Sequence, residues 1–132
     1  MNALDTNVLV RFLTGDDPVQ AQKVFNVFTS AEKENTRLYI PVAVILETIW
    51  VLESAYEIPR DKIIEAISDI LLLPILEFEQ HSAIQKLAVT ARKVNTDLAD
   101  LLIGIVSIEC GCDKVLTFDK KASISEYFEL IK

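Results

Sequence analysis

A chain of 132 residues is long enough for one domain with its own core and too short for two ordinary ones, so a single domain over residues 1–132 is expected. With 51% hydrophobic residues, three Gly and four Pro, the composition excludes a disordered or linker-rich polypeptide. The formal charge of −7 works against holding a polyanion by bulk electrostatics and suits a basic protein partner.

Strands alternate with helices along the chain, the pattern of an α/β domain whose parallel sheet is covered on both faces. Asn2 to Leu4 reads as a short strand, after which Thr6 and Asn7 can cap a helix carrying Val8, Leu9, Phe12 and Leu13. Asp16-Asp17-Pro18 then starts a second helix, with acids at its positive end and Pro in its first turn. Running to about Lys33, that helix places Ala21, Val24, Phe25 and Phe28 at core spacing.

Arg37 to Ile40 is the second predicted strand, ended by Pro41, and a helix from about Val42 to Ala55 follows. Pro59 opens another helix that closes before Pro74. Ile75 to Phe78 is a third strand, and Gln80 to Val94 a helix. The helix from Asp97 to Glu109 carries Leu98, Leu101, Leu102, Ile105 and Ile108 on its apolar face. Lys114 to Thr117 is a fourth strand and Phe128 to Ile131 a short fifth.

No apolar run approaches the roughly 18 residues of a membrane span; Leu38 to Leu46 is among the longest uncharged stretches. The N-terminus lacks the basic region and apolar core of a signal peptide, so a cytoplasmic location with no membrane contact is expected. Cys110-Gly111-Cys112 falls at a predicted helix end. Two Cys and one distant His make no zinc set, the spacing is not CxxC, and a disulfide within it would close a very tight ring. Buried or half-buried free thiols are expected there. His81 lies in a polar stretch and reads as a surface residue.

Four acids stand where a packed domain has little structural use for them. Asp5 closes the first strand, and ligand chemistry in an open α/β sheet lies at the carboxyl ends of strands. Its alternative role is a helix cap. Glu47 sits among Ala43, Val44, Trp50 and Val51, none of which can pair with a carboxylate. A buried acid is usually paired or metal-bound, so Glu47 reads as a ligand unless its helix rolls to expose it. Asp100 lies in a first helical turn, where the helix dipole favours an anion with or without a metal. Asp97, three residues earlier, can lean to the same helix face or act as the cap. Asp119 follows the strand Val115-Leu116-Thr117, with pairing to Lys120 in a surface turn as its alternative.

Together these acids are hard oxygen donors that suit Mg²⁺ or Mn²⁺ better than zinc. Such ions activate water and stabilise an in-line phosphodiester displacement, with no covalent side-chain nucleophile. Setting the four aside removes more than half of the excess negative charge, so the acidic balance weakens a nucleic-acid reading without excluding it.

At these residues the chain resembles the PIN-domain ribonucleases of the VapC-like toxins found in toxin–antitoxin pairs. The resemblance rests on Leu4-Asp5-Thr6-Asn7-Val8-Leu9-Val10-Arg11-Phe12-Leu13-Thr14-Gly15-Asp16-Asp17-Pro18, then Leu46-Glu47, Asp97-Leu98-Ala99-Asp100 and Leu116-Thr117-Phe118-Asp119, in the family's order. It implies an α/β fold, a three-layer α/β/α sandwich with a central, mainly parallel sheet of four or five strands. It also implies metal-dependent endoribonuclease activity. On that resemblance Asp5, Glu47, Asp100 and Asp119 are catalytic metal ligands for Mg²⁺ or Mn²⁺, with Asp97 as an auxiliary acid. Thr6, Asn7 and Thr117 would orient ligands or water by hydrogen bonds. It further implies an RNA substrate, a homodimer, and a small antitoxin whose tail enters the active-site groove.

Arg11, Lys120 and Lys121 are candidate phosphate contacts, with solvated surface charge as the alternative. No run of interleaved aromatic and basic residues marks an RNA-stacking surface. Three other classes compete. A phospho-acceptor receiver domain needs an acidic pair near the first strand and an acceptor Asp ending the third, whereas Asp5 stands alone and Glu47 to Glu57 holds no Asp. A haloacid-dehalogenase-type phosphatase wants DxD at the first strand, and Asp5 is followed by Thr6-Asn7. A non-catalytic interaction module would carry these acids for structure alone.

Overall fold

The structure is a computed structural model that describes residues 1–132, which fall into two compact units, Met1–His81 and Ser82–Lys132. In the first unit the elements run β1 (Asn2–Ala3), α1 (Thr6–Thr14), α2 (Pro18–Lys33), β2 (Leu38–Ile40), α3 (Val42–Ser54), α4 (Arg60–Ile70) and β3 (Leu76–Phe78). Its sheet has the order β1-β2-β3, all parallel, in the register Asn2↔Leu38 and Leu38↔Leu76.

Local chemistry explains the boundaries. Gly15 ends α1 at φ 62°, its N–H returning to the Arg11 carbonyl, a left-handed cap that costs glycine little. The Asp17 carboxylate accepts the Gln20 N–H at 3.1 Å and Pro18 is the first residue of α2, as the Asp-Asp-Pro run predicts. Phe12 and Phe28 stack with ring centroids 4.4 Å apart and so seat α1 on α2. Val24 and Phe28 are buried as expected, whereas Phe25 is 60% exposed and not a core residue. Three apolar positions within five residues subtend too wide an arc for one shallow helix contact, and Phe25 is the one turned out. His81 lies on the surface, edge-on to Phe78.

The second unit contains α5 (His81–Thr90, opening at the boundary), α6 (Leu98–Glu109), β4 (Val115–Thr117), a 3₁₀ turn (Ala122–Ile124) and β5 (Phe128–Leu130). β4 and β5 pair in parallel with Leu116 opposite Glu129. Ala83, Ile84, Leu87 and Ala88 of α5 are buried, as are Leu98, Leu101, Leu102 and Ile105 of α6, while Ile108 is turned outward. All five expected strands form and every pairing is parallel; hydrogen bonding distributes them three and two between the units.

Cys110 and Cys112 are free but exposed, correcting the expectation of buried or half-buried thiols. They lie just past the last turn of α6, where the chain leaves the core. No helix is long and apolar enough to cross a membrane.

Candidate functional site

In the first unit, Asp5 follows β1 and its Oδ1 accepts the Val8 N–H at 3.0 Å, so Asp5 itself caps α1. This corrects the expectation that Thr6 or Asn7 does so. Thr6 is instead the first residue of α1 and is buried, and its hydroxyl donates to Oε1 of Glu47 on α3, 41 residues away. Asn7 is exposed.

Glu47 is exposed too, so the argument from an unpaired buried charge does not apply to it. The helix turns Ile45, Thr48, Ile49 and Leu52 inward and leaves Ala43, Glu47 and Trp50, the last 64% exposed, facing out. What singles out Glu47 is that a buried hydroxyl orients its carboxylate. Thr6 thus ties the segment opened by Asp5 to Glu47.

In the second unit, Asp97 caps α6, its Oδ2 accepting the Asp100 N–H at 3.2 Å. Burial first, then the neighbouring charges of Asp97 and Asp119, hold the Asp100 carboxyl above the usual carboxylate range. Asp119 stands beyond the end of β4, where its Oδ1 accepts the backbone N–H groups of Lys121 (2.8 Å) and Ala122 (3.3 Å). Its own N–H donates to Thr117 Oγ1 at 2.9 Å, so the Thr117 hydroxyl holds the turn that presents this acid. Asp97, Asp100 and Asp119 line one open groove of about 900 Å³, together with Asn95, Lys121, Ile124, Ser125 and Tyr127.

The ion pairs Arg11–Asp16, Arg37–Glu77, Lys62–Glu65 and Lys86–Glu109 involve none of the five candidate acids. Within the second unit the charges of Asp97 and Asp119 act against ionisation of Asp100, and such a group of carboxylates is the kind of donor that a hard divalent ion takes. No three acidic, His or Cys side chains close into a metal cage, so the fit is one of donor chemistry.

Among the cations, Arg11 is already engaged. Its guanidinium donates to Gln20 (2.7 Å), Tyr56 (2.9 Å) and Asp16 (3.2 Å), a network that joins the end of α1 to the start of α2. Lys120 and Lys121 are exposed and adjoin Asp119.

The structure adds two features that the sequence reading missed. Phe118, immediately before Asp119, is 80% exposed, a placement that a lone aromatic in a strand-like run does not signal. Gly104 lies buried in α6, and a Cβ there would sit 2.7 Å from the Cβ of Tyr127, which lines the groove. An isolated glycine inside an apolar helix was the available signal.

Residues 3–126 match the PIN domain family model. The chain is also 26% identical over 121 residues to a VapC ribonuclease of Aquifex aeolicus (strain VF5), which covers 92% of this chain and 89% of that relative. The family match extends over residues of both units and its span takes in all five candidate acids, and the parallel α/β architecture agrees with it: the chain belongs to the PIN domain family.

Proposed function

We propose that this protein is a metal-dependent endoribonuclease, the toxin of a toxin–antitoxin pair, acting in the cytoplasm as one domain over residues 1–132. The observation that carries this reading is the groove where Asp97, Asp100 and Asp119 meet without a pairing cation and where Asp100 resists ionisation. The likeness to a VapC ribonuclease supports the choice of RNA as substrate. Mg²⁺ or Mn²⁺ would be held by Asp5, Glu47, Asp100 and Asp119, with Asp97 auxiliary, and when bound would supply an activated water and offset charge developing on the phosphate.

The chain's own residues do the remaining work. The Thr6 hydroxyl orients Glu47, and Thr117 with the Lys121 and Ala122 amides orients Asp119. Lys120 and Lys121 contact RNA phosphates beside Asp119, while Arg11 holds the α1–α2 junction through its Nε and Nη1 and has its Nη2 to offer a phosphate. A homodimer and a small antitoxin with a basic tail complete the proposal, the tail being attracted by the same uncompensated acids.

The test is cleavage of structured RNA by the purified protein with Mg²⁺ or Mn²⁺, compared with Asp5→Asn and Asp100→Asn. Asn caps a helix as well as Asp, so Asp5→Asn isolates the carboxylate charge from the cap. Both variants should fold, by circular dichroism, and lose at least about a hundredfold in rate, since even partners behind metal ligands are worth 10–100-fold. Unchanged cleavage in both would sink the assignment. Stable labelling of an Asp by a small phosphodonor would favour a receiver domain, and metal-independent partner binding by both variants an interaction module.

A further inference from the structure

The Cys110-Gly111-Cys112 step has no part in the proposed ribonuclease. Cys110 is the C-cap of α6. Beyond it the Gly111 N–H donates to the Ile108 carbonyl and the Cys112 N–H to the Ser107 carbonyl, both at 3.0 Å, with Gly111 at φ 102°. This is a glycine-closed helix end with hydrogen bonds on both sides of the glycine. It presents two free, exposed thiols on a backbone tied back to the helix. Two trans peptide steps keep their Cα atoms within about 7.6 Å. The neighbouring Glu109 carboxylate is taken by Lys86 (3.2 Å) and Ser82 (3.1 Å), so it does not turn the turn into a hard-donor site.

We propose that Cys110 and Cys112 form a chelating dithiol site for one soft, thiophilic centre of the class of trivalent arsenic or Cd²⁺, using no residue of the acid cluster. Thiolates prefer soft ions and carboxylates hard ones, so the two sets of donors select different partners. Two ligands also fall short of the four that a structural zinc site requires. The first sulfur bond makes the second intramolecular, and that tethering should tighten binding by roughly a hundredfold over either thiol alone. With phenylarsine oxide as the probe, two As–S bonds form and two S–H bonds break. Both protons leave with the arsenical oxygen as one water, and nothing is oxidised or reduced.

Intact-mass spectrometry of the reduced, folded protein with one equivalent of phenylarsine oxide tests this directly. The expected result is one adduct per chain that survives excess monothiol and is removed by a dithiol. Cys110→Ser and Cys112→Ser, both at exposed positions, should keep the fold and each lose the retained adduct. Asp100→Asn should keep it, which separates this site from the acid cluster. The proposal is overturned by an adduct that survives in either Ser variant or is stripped by monothiol. It is equally overturned if a disulfide-linked dimer forms in preference to the adduct.

Discussion

Replacing Gly104 by Ala sets two effects of opposite sign against each other. In a helix interior Ala is favoured over Gly by about 1 kcal/mol, so propensity alone predicts stabilisation. At this position the new Cβ would lie 2.7 Å from the Tyr127 Cβ and 2.9 Å from its Cγ. Carbon atoms in contact prefer about 3.5–4.0 Å, so the overlap is close to 1 Å. The obstructing atom is a Cβ anchored to backbone, not the far end of a flexible side chain, so relief requires the segment before β5 to move. Overpacking of this kind costs about 1–3 kcal/mol, which outweighs the propensity gain. Gly104→Ala should therefore destabilise by about 1 kcal/mol, a fall in Tm of about 4 °C for a chain of this size. Urea denaturation and thermal unfolding by circular dichroism measure it. In a Tyr127→Gly background, where the opposing Cβ is gone, the same substitution should become stabilising. A gain in stability from Gly104→Ala in the otherwise native chain would refute the reasoning.

Three further outcomes follow from the site and its surroundings. Thr6→Val removes the hydroxyl that orients Glu47 at nearly constant volume; because the exposed carboxylate regains water, the loss should be only about 1 kcal/mol, and Thr6→Ser should restore it. RNA cleavage should fall by more than that stability loss explains, and equal activity in the Val and Ser variants would exclude the orienting role. For Asp100, the raised pKa means that stability is lost as pH rises from the ordinary Asp range through the raised folded value. Asp100→Asn without metal should accordingly raise Tm at pH 7 and lose that advantage in acid; a difference independent of pH would contradict the assignment. The carboxyl of Asp16 is held below its ordinary range by hydrogen bonds from Tyr56 first, then Thr14, and by Arg11. The stability it contributes is present above the ordinary Asp range and lost as pH falls through the lower folded value. Tyr56→Phe should move the Asp16 titration, followed by NMR, back toward that range.

Much of this protein is written locally. Asp17 before Pro18, Gly15 after α1 and the short apolar runs that become β2 to β5 are signals within a few residues of where they act, and the elements appear close to their expected bounds except α5, which ends at Thr90 instead of Val94. The order of the acids along the chain was legible for the same reason, since Asp5 and Asp119 follow apolar strands and Asp97 and Asp100 open a helix.

Rotation about a helix axis is a different matter. The α3 segment Val42–Leu52 is apolar on nearly every side, so periodicity gives no preferred face. Only packing decided that Ile45, Ile49 and Leu52 turn inward and that Glu47 faces out. The Thr6–Glu47 hydrogen bond spans 41 residues and exists only once α1 and α3 are packed together. Phe25, Cys110 and Cys112 likewise have residue types that favour burial, and their exposure reflects where the core ends. The sequence by itself determined the class of fold, because hydrophobic period and turn chemistry encode it locally, while the family and the candidate acids were legible through the order of short motifs that resemble that family. Tertiary structure decided which acids cap helices, which hydroxyl orients Glu47 and which thiols meet solvent, because those depend on contacts between segments far apart in the chain.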